Sequence, residues 1–130
     1  MEQAKFSMLT EKAREIRLGA VEAVYSAASG HPGGSLSIAD ILSYLYFEEM
    51  NVDPADPKKA DRDRFVLSKG HTAPALYAAL AARGFFDKSL LTTLRQVDYA
   101  EDPSLRGKGC CKGASLLLSD HNHNRHHPLP

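Results

Sequence analysis

The nine residues Ser29-Gly30-His31-Pro32-Gly33-Gly34-Ser35-Leu36-Ser37 hold three glycines, three serines and a proline. Such a stretch cannot continue a helix, so the chain must change direction there with its backbone exposed. His31 lies at the bend. Bared amides and an imidazole placed just before a helix start suit an anionic or hydroxyl-rich ligand, because a helix N-terminus carries unpaired N–H groups and positive dipole. The same residues also suit a plain helix-helix turn whose histidine caps a carbonyl, and the stretch alone does not separate the two.

Its flanks read as amphipathic helices. From Leu9 to Ala28, Leu9, Ala13, Ile16, Ala20, Val21, Val24 and Ala27 recur at three- and four-residue steps, the spacing of one buried face. Thr10 is the expected N-cap, and Gly30 followed by Pro32 the stop. Beyond the bend, Ser37-Ile38-Ala39-Asp40 has capping-box spacing and predicts a second helix with Ile38, Ile41, Leu42 and Leu45 inward, ending near Met50. Asn51-Val52-Asp53-Pro54-Ala55-Asp56-Pro57 is turn-forming throughout.

Phe65-Val66-Leu67 is the one stretch that reads as a strand, short and apolar enough to be buried on both faces. Ser68-Lys69-Gly70-His71 then makes a tight turn, and Thr72-Ala73-Pro74 opens a helix that runs to Arg83 and closes at Gly84. The carboxyl end of a buried strand feeding a helix is where open α/β sheets bind phosphate-bearing ligands, which places Gly70 and His71 in a candidate site. A purely structural β-α turn is the alternative. Ser89 to Gln96 predicts a short further helix with Leu90, Leu91 and Leu94 inward.

After Gln96 the periodicity stops, and the histidine-rich end from Asp120 to Pro130 has the biased composition of a disordered segment. Clustered histidines on a flexible tail (His121, His123, His126, His127) lack the fixed geometry of a metal centre, so no metal ligands are assigned. Cys110 and Cys111 are adjacent and are the only cysteines. They form neither a disulfide framework nor a C-x-x-C pair, which fits a reducing compartment.

Sixteen basic and sixteen acidic side chains cancel, so no global field recruits nucleic acid or an acidic membrane surface. Met1-Glu2-Gln3-Ala4-Lys5 lacks a signal-peptide core and no apolar run is long enough to cross a bilayer. The expectation is a soluble, cytoplasmic protein. None of the Walker A, G-x-G-x-x-G, G-x-S-x-G or H-E-x-x-H patterns occurs.

Two blocks together resemble the transketolase family at the start of its thiamine-diphosphate-binding domain. The first runs from Arg17 through Val21-Glu22 to the Ser29–Ser37 turn. The second is Asp61-Arg62-Asp63-Arg64-Phe65-Val66-Leu67-Ser68-Lys69-Gly70-His71, continuing through Ala73-Pro74-Ala75-Leu76-Tyr77, with Met50-Asn51-Val52-Asp53-Pro54 between them. The resemblance covers about residues 8–96. It implies an α/β fold, here an incomplete thiamine-diphosphate-binding fold, mostly helical with one clear buried strand of a parallel sheet.

The resemblance further implies thiamine diphosphate as cofactor, and a divalent metal, magnesium or calcium, in the complete enzyme. The activity implied is transfer of a two-carbon ketol unit from a ketose phosphate to an aldose phosphate, as in the pentose phosphate pathway. His71, with Gly70, resembles the cofactor-diphosphate contact. His31 resembles the catalytic and substrate-binding histidine that faces the sugar. Imidazoles suit repeated movement of hydroxyl protons near neutral pH, while the carbanion chemistry belongs to the cofactor.

The family pattern continues with another Gly-His-Pro segment and then a Gly-Asp-Gly metal motif. Neither follows here: Gly-Asp-Gly occurs nowhere, and Gly30-His31-Pro32 is the single Gly-His-Pro. The expected organisation is therefore the start of the domain over 1–96 and a divergent, disordered tail over 97–130, read as a frame-shifted or truncated product inactive alone. Expected partners are sugar phosphates and either a second copy in a homodimer or a complementary C-terminal transketolase chain, with no nucleic acid and no membrane. Alternative readings are a related enzyme such as 1-deoxyxylulose-phosphate synthase or dihydroxyacetone synthase, and a non-catalytic phosphate- or partner-binding module.

Overall fold

A computed structural model describes residues 2–94. The expectations for Gln96, for the cysteine pair, for the histidine-rich end and for the 97–130 tail lie outside the described residues. Three helices carry the fold: α1 (Gln3–Ala27), α2 (Pro32–Tyr44) and α3 (Ala73–Arg83). A π-helical turn, Leu45–Glu49, extends α2, and 3-10 turns at Gly70–Thr72 and Lys88–Thr93 flank α3.

The centre is α3. Every residue from Pro74 to Ala81 is buried, as expected of a helix apolar around its whole circumference. Its small side chains let neighbours approach closely: a Cβ added at Gly19 of α1 would stand 2.9 Å from the Ala78 Cβ and 3.1 Å from Leu91 Cδ1. The buried face of α1 is Leu9, Ala13, Ile16, Gly19, Ala20 and Ala23. Val21, expected inward, is 46% exposed and Val24 is half-buried. The crowded α3 surface selects glycine and alanine over the β-branched residues beside them.

Both early helix starts differ from expectation. Glu2, not Thr10, is the N-cap of α1. The Thr10 hydroxyl donates instead to the Phe6 carbonyl within the helix (2.9 Å), the back-bonding available to a mid-helix threonine. Gln3, Ala4, Lys5 and Met8 favour helix even where no apolar face is needed. Likewise α2 starts at Pro32 rather than Ser37. Proline needs no partner for an N–H at the first helical position, and Asp40 pairs with Arg17 of α1 at 2.5 Å instead of closing a capping box. Leu42 is buried and Ile38 and Leu45 are half-buried, but Ile41 is 57% exposed. The deepest α2 positions include Ser35 and Ser43. The Ser43 hydroxyl donates to the Leu9 carbonyl at 2.6 Å, joining α2 to α1.

The predicted strand does not form. Residues 62–67 have no regular secondary structure, and no strand or sheet exists among the described residues. Phe65 and Leu67 turn toward the core while Val66 is 74% exposed. A strand needs backbone partners, and the described chain offers this segment helices, not a neighbouring strand. Side chains and loop contacts hold it instead. Phe65 stacks edge-on against buried Tyr46, ring centroids 6.0 Å apart. Asn51 and Asp63 exchange bonds: the Asn51 N–H donates to Asp63 Oδ2 (2.7 Å) and the Asp63 N–H to the Asn51 carbonyl (3.0 Å). The expected α/β class with a buried parallel-sheet strand is therefore corrected: the described residues are helical, and residues 62–67 are an irregular segment laid on that helical core.

α3 follows its sequence signals. Thr72 is the N-cap residue, Pro74 lies in the first turn, and Gly84 ends the helix with φ 103°. Arg83 donates from Nε to the Tyr46 carbonyl (2.9 Å) and from Nη2 to that of Val52 (3.4 Å), which pins the exit of α2 to α3. The expected helix from Ser89 is a 3-10 turn, Lys88–Thr93, with Leu91 and Leu94 buried and Leu90 half-buried. The Asp87 carboxylate accepts the Ser89 N–H at 2.8 Å, and that bond holds its carboxyl below the ordinary value.

Candidate site at the junction of the two histidine turns

The bend between α1 and α2 forms through two positive-φ residues on either side of Ser29. Ala28 ends α1 in the left-handed region (φ 51°) and Gly30 follows at φ 143°, where a Cβ would press on Val24 at 3.1 Å. This geometry swings the chain across the end of α1 and sets His31 as the N-cap residue of α2. The His31 ring makes no capping hydrogen bond to the first-turn amides of α2. It is exposed.

Forty residues later, the 3-10 turn Gly70–Thr72 holds His71, also exposed, in front of α3. Gly70 opens that turn, and its carbonyl accepts the Ala73 N–H. The two imidazoles meet edge to face with ring centroids 5.9 Å apart. Thus the fold joins His31, His71 and Gly70, which the sequence keeps in separate blocks.

The junction beneath the rings is tight. A Cβ at Gly34 would stand 2.5 Å from Thr72 Cγ2, closer than real Cβ contacts come, and 3.7 Å from His71 Nε2. The second glycine after Pro32 is therefore required by close approach. The fully buried Ser35 donates from Oγ to the Thr72 carbonyl at 3.4 Å. Lys69 Nζ donates to the Gly34 carbonyl (3.1 Å) and to Ser37 Oγ (3.3 Å). Thr72 Oγ1 donates to the Lys69 carbonyl at 2.8 Å. Lys69, Ser35, Gly34 and Thr72 are not among the individual site residues that the sequence points to. A glycine pair inside a helix's first turn, where alanine is the better helix former, is the signal that could have found the junction.

Chemically, the junction offers two accessible imidazoles, a lysine ammonium, and the exposed start of α2, whose first-turn amides and dipole favour negative charge, with the dipole of α3 behind the His71 turn. That donor set fits the anionic end of a diphosphate. It does not fit a hard divalent metal: no group of three or more His, Cys, Asp or Glu that could hold one occurs among the described residues.

Comparison with known proteins agrees with the two-block resemblance. The transketolase thiamine-diphosphate-binding domain model matches residues 9–102. The 6-deoxy-6-sulfo-D-fructose transketolase subunit SqwG of Clostridium is 50% identical over 88 residues, covering 68% of this chain and 32% of that protein. One of the apulose-4-phosphate transketolase subunits of Phocaeicola vulgatus is 51% identical over 74 residues, 57% of this chain and 26% of that one. Human transketolase is 41% identical over 96 residues, 74% of this chain and 15% of the human protein. This chain spans 32% or less of the length of these relatives. With the match extending from α1 past the His71 turn, the chain belongs to the transketolase family, in its thiamine-diphosphate-binding domain.

Proposed function

We propose that this chain contributes the histidine-bearing part of a thiamine-diphosphate site in a transketolase-type transfer of a two-carbon ketol unit between a ketose phosphate and an aldose phosphate. The observation that carries this reading is the pairing of His31 and His71 at 5.9 Å across two helix starts. The cofactor supplies, when bound, the nucleophilic carbon and the electron sink that sugar carbon–carbon chemistry requires. His71 and the Gly70 N–H bind the cofactor's diphosphate. His31 faces the sugar, where its imidazole accepts and returns hydroxyl protons. The Lys69 ammonium and the α2 and α3 starts add positive potential on the same side.

A divalent metal, magnesium or calcium, belongs to the complete enzyme, with ligands outside residues 2–94. The remainder of the site is provided by a complementary transketolase chain or by a second copy, which the relatives' designation as subunits supports. No helix among the described residues is long and apolar enough to cross a membrane. Titration calorimetry with thiamine diphosphate and magnesium, on the chain by itself and with a complementary transketolase chain, tests the reading. One-to-one uptake that His71→Asn weakens supports it. Uptake of a protein partner without cofactor in either format refutes it and favours a non-catalytic module.

A further inference from the structure

We propose that Lys69 is a positioning residue that sets the distance between the two imidazoles, by clamping the His71 turn onto the first turn of α2. The inference rests on the reading of His31 and His71 as one ligand site.

Contacts of two kinds fix how the turn meets the helix. The inner limit is steric, because Thr72 Cγ2 already fills the space a Gly34 Cβ would occupy. An outer limit needs attraction, and two side chains among the described residues supply it by hydrogen bonds across this junction. Ser35 does so weakly, since its bond to the Thr72 carbonyl is 3.4 Å long. Lys69 does so twice, with a charged donor, to the Gly34 carbonyl and Ser37 Oγ, and a hydrogen bond from an ionised group is the stronger kind. Ser37 Oγ donates to the same Gly34 carbonyl at 2.9 Å, so ammonium, hydroxyl and carbonyl form a closed triangle at the α2 start.

The main chain of Lys69 acts on the other side of the junction. Its carbonyl accepts both the Thr72 N–H (2.9 Å) and the Thr72 hydroxyl (2.8 Å), closing the turn that carries His71. One residue therefore fixes the internal shape of the turn through its backbone and the turn's place on α2 through its side chain. Both acceptors of the ammonium are neutral, and no carboxylate pairs with it among the described residues. Its charge is therefore not cancelled beside the two rings, where an anionic ligand is to be drawn. Removing the ammonium deletes both charged bonds of this clamp and leaves the long Ser35 bond, and the His31–His71 pair opens.

The test compares the full chain with Lys69→Met and Lys69→Arg. The readouts are the nuclear Overhauser cross-peak between the His31 and His71 rings, cross-peaks between α1 and α3, and the affinity for thiamine diphosphate. The expected result is a ring-to-ring cross-peak in the wild-type chain, its loss in K69M with the α1–α3 cross-peaks unchanged, and its return in K69R. Should K69M not fold, K69Q, whose shorter amide cannot reach both acceptors, gives the same readout. Persistence of the ring-to-ring cross-peak without the ammonium, or its absence from the wild-type chain, overturns the inference. A cross-peak that follows Lys69 as expected in a chain that never takes up thiamine diphosphate leaves the positioning role standing and refutes the cofactor reading.

Discussion

Replacing Gly34 with alanine sets two effects of known sign against each other. In a helix interior glycine is worse than alanine by about 1 kcal/mol, so Gly34→Ala gains at most that much in the first turn of α2. Against it stands the 2.5 Å approach of the new Cβ to Thr72 Cγ2. Thr72 is fully buried and its Oγ1 is held by the Lys69 carbonyl at 2.8 Å. A β-branched side chain is stiff at χ1, so rotating the methyl away forfeits a hydrogen bond worth about 1 kcal/mol. Overpacking of this kind costs about 1–3 kcal/mol, and the net expectation is a loss of about 1–2 kcal/mol. Thr72→Ser keeps the hydroxyl and deletes the offending methyl, at a cost of about 1 kcal/mol alone. In the double variant the two substitutions should compensate, with a coupling energy of about 1–2 kcal/mol in urea unfolding. Gly34→Ala as stable as the wild-type chain, or additive changes in the cycle, would refute the close-approach argument.

Two further outcomes follow from the packing and the charges. Gly19→Ala should destabilise by about 1–2 kcal/mol despite its helix propensity, because its Cβ meets Ala78 and Leu91 in the α1–α3 contact; Ala78→Gly is itself destabilising by about 1 kcal/mol, but Gly19→Ala added to it should cost less than in the wild-type chain, read by thermal unfolding. At Glu15, burial pushes the carboxyl up, but hydrogen bonds from Lys12 and Lys88 outweigh it and hold it below its ordinary value of 4.5. A carboxyl lowered on folding stabilises fully above the unfolded value, and the contribution is lost as pH falls through the folded one. Stability of Glu15→Gln measured from pH 6 down to about pH 3 should therefore fall less steeply than wild type below about pH 4.5; parallel curves would contradict it.

How much of this is legible in the sequence depends on whether the deciding contact is local. The limits of α3 are, because Pro74 and Gly84 act through their own backbone. His31, Gly70 and His71 stand out within their blocks, but no local pattern shows that the two rings meet, since forty residues separate them. Capping-box spacing at Ser37 and Asp40 puts the N-cap of α2 six residues late, at Ser37 instead of His31, and Asp40 pairs with Arg17 across the helix pair. Phe65-Val66-Leu67 has the composition of a strand, but composition cannot supply a neighbour, and these residues lie on helices with Val66 facing outward. Lys69 resembles any loop lysine until Gly34 and Ser37 are brought to it.

The most direct test of the account is a histidine-selective NMR titration of the full chain with thiamine diphosphate in the presence of magnesium. One site built from both turns predicts that the His31 and His71 ring signals move together and saturate at one equivalent, with inorganic pyrophosphate displacing the effect at His71. Saturable binding that leaves both rings unmoved, or two rings responding with separate affinities, would contradict a single histidine-paired cofactor site.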